Sequence, residues 1–213
     1  MKPQAILFDL DGTLINTLPD IVGVVNRVRE ELGLGVRPQP EIVRYIGKGA
    51  EVLVEGCFGE VLKLHSIEAL VARFRSRYYL EPHHGGHLYA GVEHTLDTLR
   101  RSGLQIGVAT NKPERAAQVT LQHYLPDFTF DIVACPENVS GKKPDPAHLT
   151  EPLQQLSVSN REAVFVGDDP VDLAAATAAG VRFFGAGFGF GNVKAPQMLQ
   201  AFTDLLDYLG ELQ

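Results

Sequence analysis

The chain has 213 residues, with 19 Lys+Arg against 26 Asp+Glu for a formal charge of −7, and is 45% hydrophobic and 21% charged. That is the length of one large domain, or of one domain carrying a smaller insert, and the composition excludes disorder and a disulfide-stapled miniprotein. No Lys/Arg-rich run breaks the acidic balance, which speaks against nucleic acid as a partner, and no stretch of about 18 apolar residues is present to span a membrane. In chain order, Ala5-Ile6-Leu7-Phe8 is a short apolar run, bounded by the polar cluster Asp9 to Thr13, and reads as a buried strand. From Pro19 to about Glu81 no strand is convincing and the periodicity is helical. Ile21, Val25, Val28 and Leu32 form one stripe ending at Gly33; Ile67, Leu70, Phe74 and Tyr78 form another, after Ser66 as the expected N-cap. The exits of this stretch, Ile15-Asn16-Thr17 and Pro82-His83-His84-Gly85-Gly86, read as linkers.

Beyond the insert, strands are predicted at Ile106 to Ala109, Ala163 to Val166 and Val181 to Phe184, with a weaker one at Asp131 to Ala134. Helical patterns lie between them: Leu96 and Leu99 closed by Gly103, Pro113 to Tyr124, Asp145 to Leu156, and Asp169-Pro170 to Ala179 closed by Gly180. This alternation predicts an α/β fold, a Rossmann-like parallel sheet with helices on both faces and an inserted α-helical cap. The expected division is a core of residues 1–15 and 87–213 and a helical cap of residues 16–86. Asp9 arrives too early for a signal-peptide apolar region, and Cys57 and Cys135 lack metal-type spacing, so a cytoplasmic protein is expected.

In open α/β sheets the ligand site lies beyond the C-terminal strand ends. After the first strand come Asp9 and Asp11; after the second, Thr110-Asn111-Lys112; after the run at Ala163, Gly167-Asp168-Asp169-Pro170-Val171-Asp172; and Lys142-Lys143 precedes Pro144. So many acids on one rim repel one another unless a cation sits among them, and hard carboxylate oxygens suit Mg²⁺. One carboxylate can attack phosphorus, and a second, two residues on, can act as general acid and then base. Thr110 and the amides after it can bind phosphoryl oxygens, while a lysine offsets charge.

These four segments, Asp9-x-Asp11-Gly12-Thr13, Thr110-Asn111, Lys143 before Pro144, and Gly167-Asp168 with Asp172, resemble those of the haloacid dehalogenase superfamily. Arg44-Tyr45-Ile46-Gly47-Lys48-Gly49-Ala50 and Thr110-Asn111-Lys112-Pro113 are similar to its phosphoglycolate phosphatase-like members. The resemblance implies Asp9 as nucleophile and Mg²⁺ ligand, and Asp11 as acid/base that also ligates metal through its backbone carbonyl. It further implies phosphate binding by Thr110, charge stabilisation by Lys143, Asp168 as metal ligand and Asp172 as support for the metal's water shell. Asn111 joins Thr110 and Lys143 as substrate-binding. The implied activity is Mg²⁺-dependent hydrolysis of a small phosphorylated metabolite, with 2-phosphoglycolate the lead substrate.

Inorganic pyrophosphatase, β-phosphoglucomutase and a non-catalytic phosphate-binding regulatory module are the alternatives; Asp11 argues against a dehalogenase. Monomer and homodimer both fit the surface charge. Other readings are structural. Asp169 reads as an N-cap ahead of Pro170, Asp172 also complements the helix dipole, and Lys142 reads as solvated. His83, His84 and His87 read as exposed linker residues, and Gly185 to Gly191 as a flexible loop near the rim. Arg44 and Lys48 either reach a substrate carboxylate from the cap or lie on a solvated face.

Overall fold

The computed structural model describes residues 3–80 and 85–210. The chain enters through β1 (Ala5–Phe8) and β2 (Ile15–Asn16), then runs through four helices, α1 (Leu18–Glu31), α2 (Gln39–Ile42), α3 (Ala50–Phe58) and α4 (Ile67–Leu80). It returns through β3 (His87–Leu88) and alternates: α5 (Val92–Arg101), β4 (Gln105–Ala109), α6 (Glu114–Tyr124), β5 (Ile132–Ala134), α7 (Ala147–Gln155), β6 (Ala163–Gly167), α8 (Pro170–Ala179) and β7 (Arg182–Ala186). The short β8 (Met198–Leu199) and α9 (Asp204–Gly210) complete it.

Six strands form one parallel sheet in the order β5-β4-β1-β6-β7-β8. The chain winds outward from β1 in both directions, the doubly wound arrangement whose crevice opens beyond the C-terminal strand ends. Strand β1 lies in the middle, buried on both faces, which is why its sequence is a continuous apolar run. Successive side chains alternate between faces. Ile6 and Phe8 pack with Leu96 and Leu99 on one face, and Ala5 and Leu7 pack with Leu149, Leu153 and Ala175 on the other. The register sets Phe8 against Val108 and Val166, so the segments after β1, β4 and β6 emerge at one level.

The helices α1 to α4 bury their own apolar cluster, with Ile21, Val25, Val28, Leu70, Phe74 and Tyr78 inside it and Ala116 joining from α6. Both predicted stripes therefore face inward, Leu32 half-buried at the end of the first, and Ser66 caps α4 by accepting the Ala69 N–H at 3.2 Å. Of the exits, Ile15-Asn16-Thr17 and Gly85-Gly86 are described, and they are tied down rather than free. Ile15–Asn16 pairs antiparallel with His87–Leu88, and Gly86 donates its N–H at 2.9 Å to the fully buried Asp20, which also accepts the Tyr124 hydroxyl at 2.6 Å. A side chain at Gly86 would meet both groups at 2.4 Å, so this close approach requires glycine. His87 lies exposed in β3, while His83 and His84 lie outside the described residues. Two-residue strands carry no readable period, which is why the ribbon and β8 escape a pattern search.

Leu7→Ala, at the centre of the sheet, is expected to lower unfolding free energy by about 3 kcal/mol, whereas Leu64→Ala, at a side chain 80% exposed, changes it by less than about 0.5 kcal/mol. Urea midpoints of the two variants measure this; equal losses would contradict the assignment of the core.

Candidate active site

Asp9 follows β1 directly and extends its ladder by donating its N–H to Val166 at 2.8 Å. The chain then turns sharply at Gly12, whose φ of +90° and approach to Asp168 (a Cβ there would lie 2.0 Å from Oδ2) both demand glycine. The turn brings Asp11 back to the rim. Its carboxylate accepts the Thr17 hydroxyl at 2.7 Å and the Lys112 ammonium at 2.9 and 3.1 Å, and that ammonium lies 4.6 Å from the ring centre of Tyr78 on α4. Thr110, after β4, is buried; its hydroxyl oxygen accepts the Lys112 N–H at 3.1 Å.

Lys143 reaches into the same rim, 2.7 Å from Asp9 and 2.8 Å from Asp172. Its side chain is 2% exposed, while Lys142 points to solvent as expected. At the start of α8, Asp169 caps the helix by accepting the Val171 N–H at 2.9 Å, and Asp172 answers by accepting the Asp169 N–H at 3.0 Å. Asp172 thus has two contacts: one oxygen holds the helix start and the other faces Lys143. Asp168 accepts the Gly191 N–H at 2.7 Å, so the end of the glycine-rich segment is tied to the site and its beginning, Gly185 and Ala186, is part of β7.

Ligand atoms of Asp9, Asp168 and Asp172 all lie within 4.8 Å of one another, and all three residues are buried. The Asp11 carboxylate stands apart, engaged by Lys112. Burial pushes the Asp9 carboxyl up to about 6 despite Lys143, with Asp172 and Asp11 adding to the rise. Burial likewise holds Asp168 well above the carboxylate range, reinforced by Asp9 and Asp172, and raises Asp172 against the pull of Lys143. For Lys143, burial works against the charge, but Asp172 and Asp9 together outweigh it and hold the ammonium above its ordinary range. Three buried hard-oxygen donors facing one ammonium form a donor set that fits a divalent cation.

Above the rim, a cavity open to solvent on one side is roofed by the insert, including Ile21, Ile46, Leu53, Phe74 and Tyr78. Two predicted substrate contacts, Arg44 and Lys48, are placed differently, and the third, Asn111, lines the cavity with its amide already engaged. The Asn111 amide is occupied: it donates at 3.0 Å to the Gly47 carbonyl on the insert and at 3.0 Å to the Lys143 carbonyl, and accepts the Lys143 N–H at 2.8 Å. Arg44 and Lys48 are exposed and do not line the cavity; Lys48 closes its own turn on the Arg44 carbonyl at 2.9 Å. Conversely, Thr17, Lys112, Tyr78 and Arg75 border the rim or the cavity without having been assigned a role from sequence. Lys112 lay within a recognised segment; Arg75 is one of three arginines at alternate positions of α4 and carries no distinguishing pattern.

Residues 6–186 match the family model for haloacid dehalogenase-like hydrolases, and the chain belongs to that family. It is similar to the phosphoglycolate phosphatase of Rhodospirillum rubrum, 34% identical over 98% of this chain and 91% of the relative, and to that of Cereibacter sphaeroides, 36% identical over 98% and 95%. A crystal structure from Haemophilus somnus, described as a predicted phosphoglycolate phosphatase, superposes with a TM-score of 0.91 at 27% identity, covering 98% of both chains.

Lys143→Met leaves Asp9 and Asp172 buried without their cation. In EDTA at pH 7.5 the loss of stability is expected to be about 3 kcal/mol. A carboxyl raised in the folded state favours folding below its unfolded value and loses that contribution as pH rises through about 6 for Asp9, so the deficit shrinks at pH 5. Urea unfolding at both pH values measures this, and a variant as stable as wild type at pH 7.5 would contradict it.

Proposed function

We propose that the protein is a Mg²⁺-dependent phosphatase that hydrolyses 2-phosphoglycolate through an aspartyl-phosphate on Asp9. The observation that carries the reading is the rim itself: a buried carboxylate held 2.7 Å from a buried lysine, within a three-aspartate cluster, under a roofed cavity. Full-length similarity to phosphoglycolate phosphatases supports the choice of substrate. In this reading residues 1–15 and 87–213 form the catalytic core and residues 16–86 the cap. Two free buried thiols, Cys57 and Cys135, accord with a cytoplasmic setting. No helix among the described residues is long and apolar enough to cross a membrane.

Asp9, Asp168 and Asp172, with the Asp11 carbonyl, would hold Mg²⁺, which when bound neutralises phosphoryl and carboxylate charge. Asp9 attacks phosphorus, forming one P–O bond as the bond to the leaving alkoxide breaks. Asp11, two residues on and positioned by Thr17 and Lys112, is a carboxylate in the ligand-free site; it takes up a proton from water as the substrate enters and gives that proton to the alkoxide. It then takes a proton from the water that attacks the same phosphorus and frees Asp9. The Thr110 hydroxyl, whose oxygen already accepts the Lys112 N–H, keeps its own proton for a phosphoryl oxygen. Lys143 balances the negative charge as it spreads over the transferring group. Asn111 acts on the substrate indirectly, by fixing the Lys143 backbone.

Phosphate release is to be measured from 2-phosphoglycolate, pyrophosphate, glucose 1-phosphate and an aryl phosphate, with Mg²⁺ or EDTA. The expected result is preference for 2-phosphoglycolate, loss in EDTA, and a fall of at least about 10³-fold in Asp9→Asn. Preference for pyrophosphate would replace the substrate; absence of turnover with every compound would contradict the catalytic reading.

A further inference from the structure

Among the described residues that the helical insert contributes to the cavity, Arg75 alone carries a charge; the others are aliphatic, glycine or aromatic. The two lysines of the cavity are already committed, Lys143 to Asp9 and Asp172, and Lys112 to Asp11. Arg75 is differently placed. Its Nη2 lies 3.2 Å from Glu51, whose side chain is 59% exposed and stands outside the cavity lining, and such a solvated pair is weak. Its Nε is buried and has no hydrogen-bond partner among the described residues. A buried donor without an acceptor is unfavourable until a ligand supplies one, and a planar guanidinium matches a carboxylate in two parallel hydrogen bonds.

With the phosphoryl group at the aspartate rim, the leaving group projects toward the insert. We infer that Arg75 is a specificity-determining residue that binds a carboxylate on the leaving group, so that the site selects phosphomonoesters of hydroxy acids over those of neutral alcohols. The inference rests on the phosphatase reading and assigns the substrate's second anion to one residue. The apolar part of the lining, with Leu53 and Phe74, offers a neutral hydroxyl few partners, so the guanidinium is the feature that tells a carboxylate from it.

The test compares 2-phosphoglycolate with 2-hydroxyethyl phosphate, in which a hydroxymethyl group replaces the carboxylate, for wild type, Arg75→Met and Arg75→Lys. The ratio of their kcat/KM values is expected to fall about 30-fold in Arg75→Met, mainly through KM for 2-phosphoglycolate, and to recover in part in Arg75→Lys. An equal loss on both compounds, as a merely structural role gives, or a wild-type ratio near one, overturns the inference. Calorimetric titration of both compounds into Asp9→Asn, with and without Arg75→Met, separates this from the parent reading. If wild type turns nothing over but the binding preference is present and lost with Arg75, the phosphatase reading fails and the Arg75 assignment stands. Equal binding of the two compounds to Asp9→Asn overturns the assignment.

Discussion

Asp9, Asp168 and Asp172 are held together in the protein interior with one ammonium, that of Lys143, between two of them. Carboxyls brought this close out of water cannot all ionise without compensation; burial foremost raises all three, and like charge within the cluster adds to the rise at Asp9 and Asp168. Much of the surrounding structure serves to hold the cluster in place. Gly12 lets the backbone pass against Asp168, the Gly191 amide gives Asp168 a donor, and the start of α8 is locked by Asp169 so that Asp172 keeps an oxygen for Lys143. Asn111 clamps both backbone groups of Lys143, which makes the lysine position a property of two loops rather than one. A site strained electrostatically in this way has a built-in affinity for a cation and for a ligand that shares it.

The insert and the sheet divide the work. Among the described residues, the sheet supplies the carboxylates and both lysines of the rim, from segments that follow its strands, while the insert supplies an apolar roof with Arg75 as its one charge. The two are joined by specific contacts of modest individual strength. Tyr78 sits over Lys112 and meets the Thr120 hydroxyl at 3.1 Å, Arg115 lies 4.4 Å from the ring centre of Tyr79, and Asn111 reaches Gly47. In the proposed reading, chemistry at phosphorus and choice of leaving group reside in different parts of the chain, and substitutions in one can leave the other intact.

The core strands and the aspartates after them were legible because both express strong, local constraints. A strand buried on two faces must be apolar throughout, and a run of acids directly beyond it has no structural purpose that turns alone would satisfy. The two helical stripes of the insert were legible for the same reason of periodicity. What depended on long-range geometry was not. Asn111 is one residue from Thr110 in sequence, yet its amide is consumed by Gly47 and Lys143, partners 64 and 32 residues away. Arg44 and Lys48 look equivalent to Arg75 as cationic cap residues, and only the packing of α4 against the cavity distinguishes them. Asp169 shows the opposite case: an acid before Pro at a helix start carries its role in its neighbours, so the N-cap was readable there, although its reciprocal bond with Asp172 was not.

The central claim, that Asp9 carries the phosphoryl group, is tested most directly by trapping it. Asp11→Asn removes the base that activates water, and an aryl phosphate supplies a leaving group that needs little protonation, so the first step proceeds while the second stalls. Acid quenching of this variant with Mg²⁺ and p-nitrophenyl phosphate, followed by mass spectrometry of the peptide that contains Asp9, should show the mass of one phosphoryl group on Asp9. An unmodified Asp9 during a burst of nitrophenol release, or a phosphoryl group on any other residue, would contradict the account.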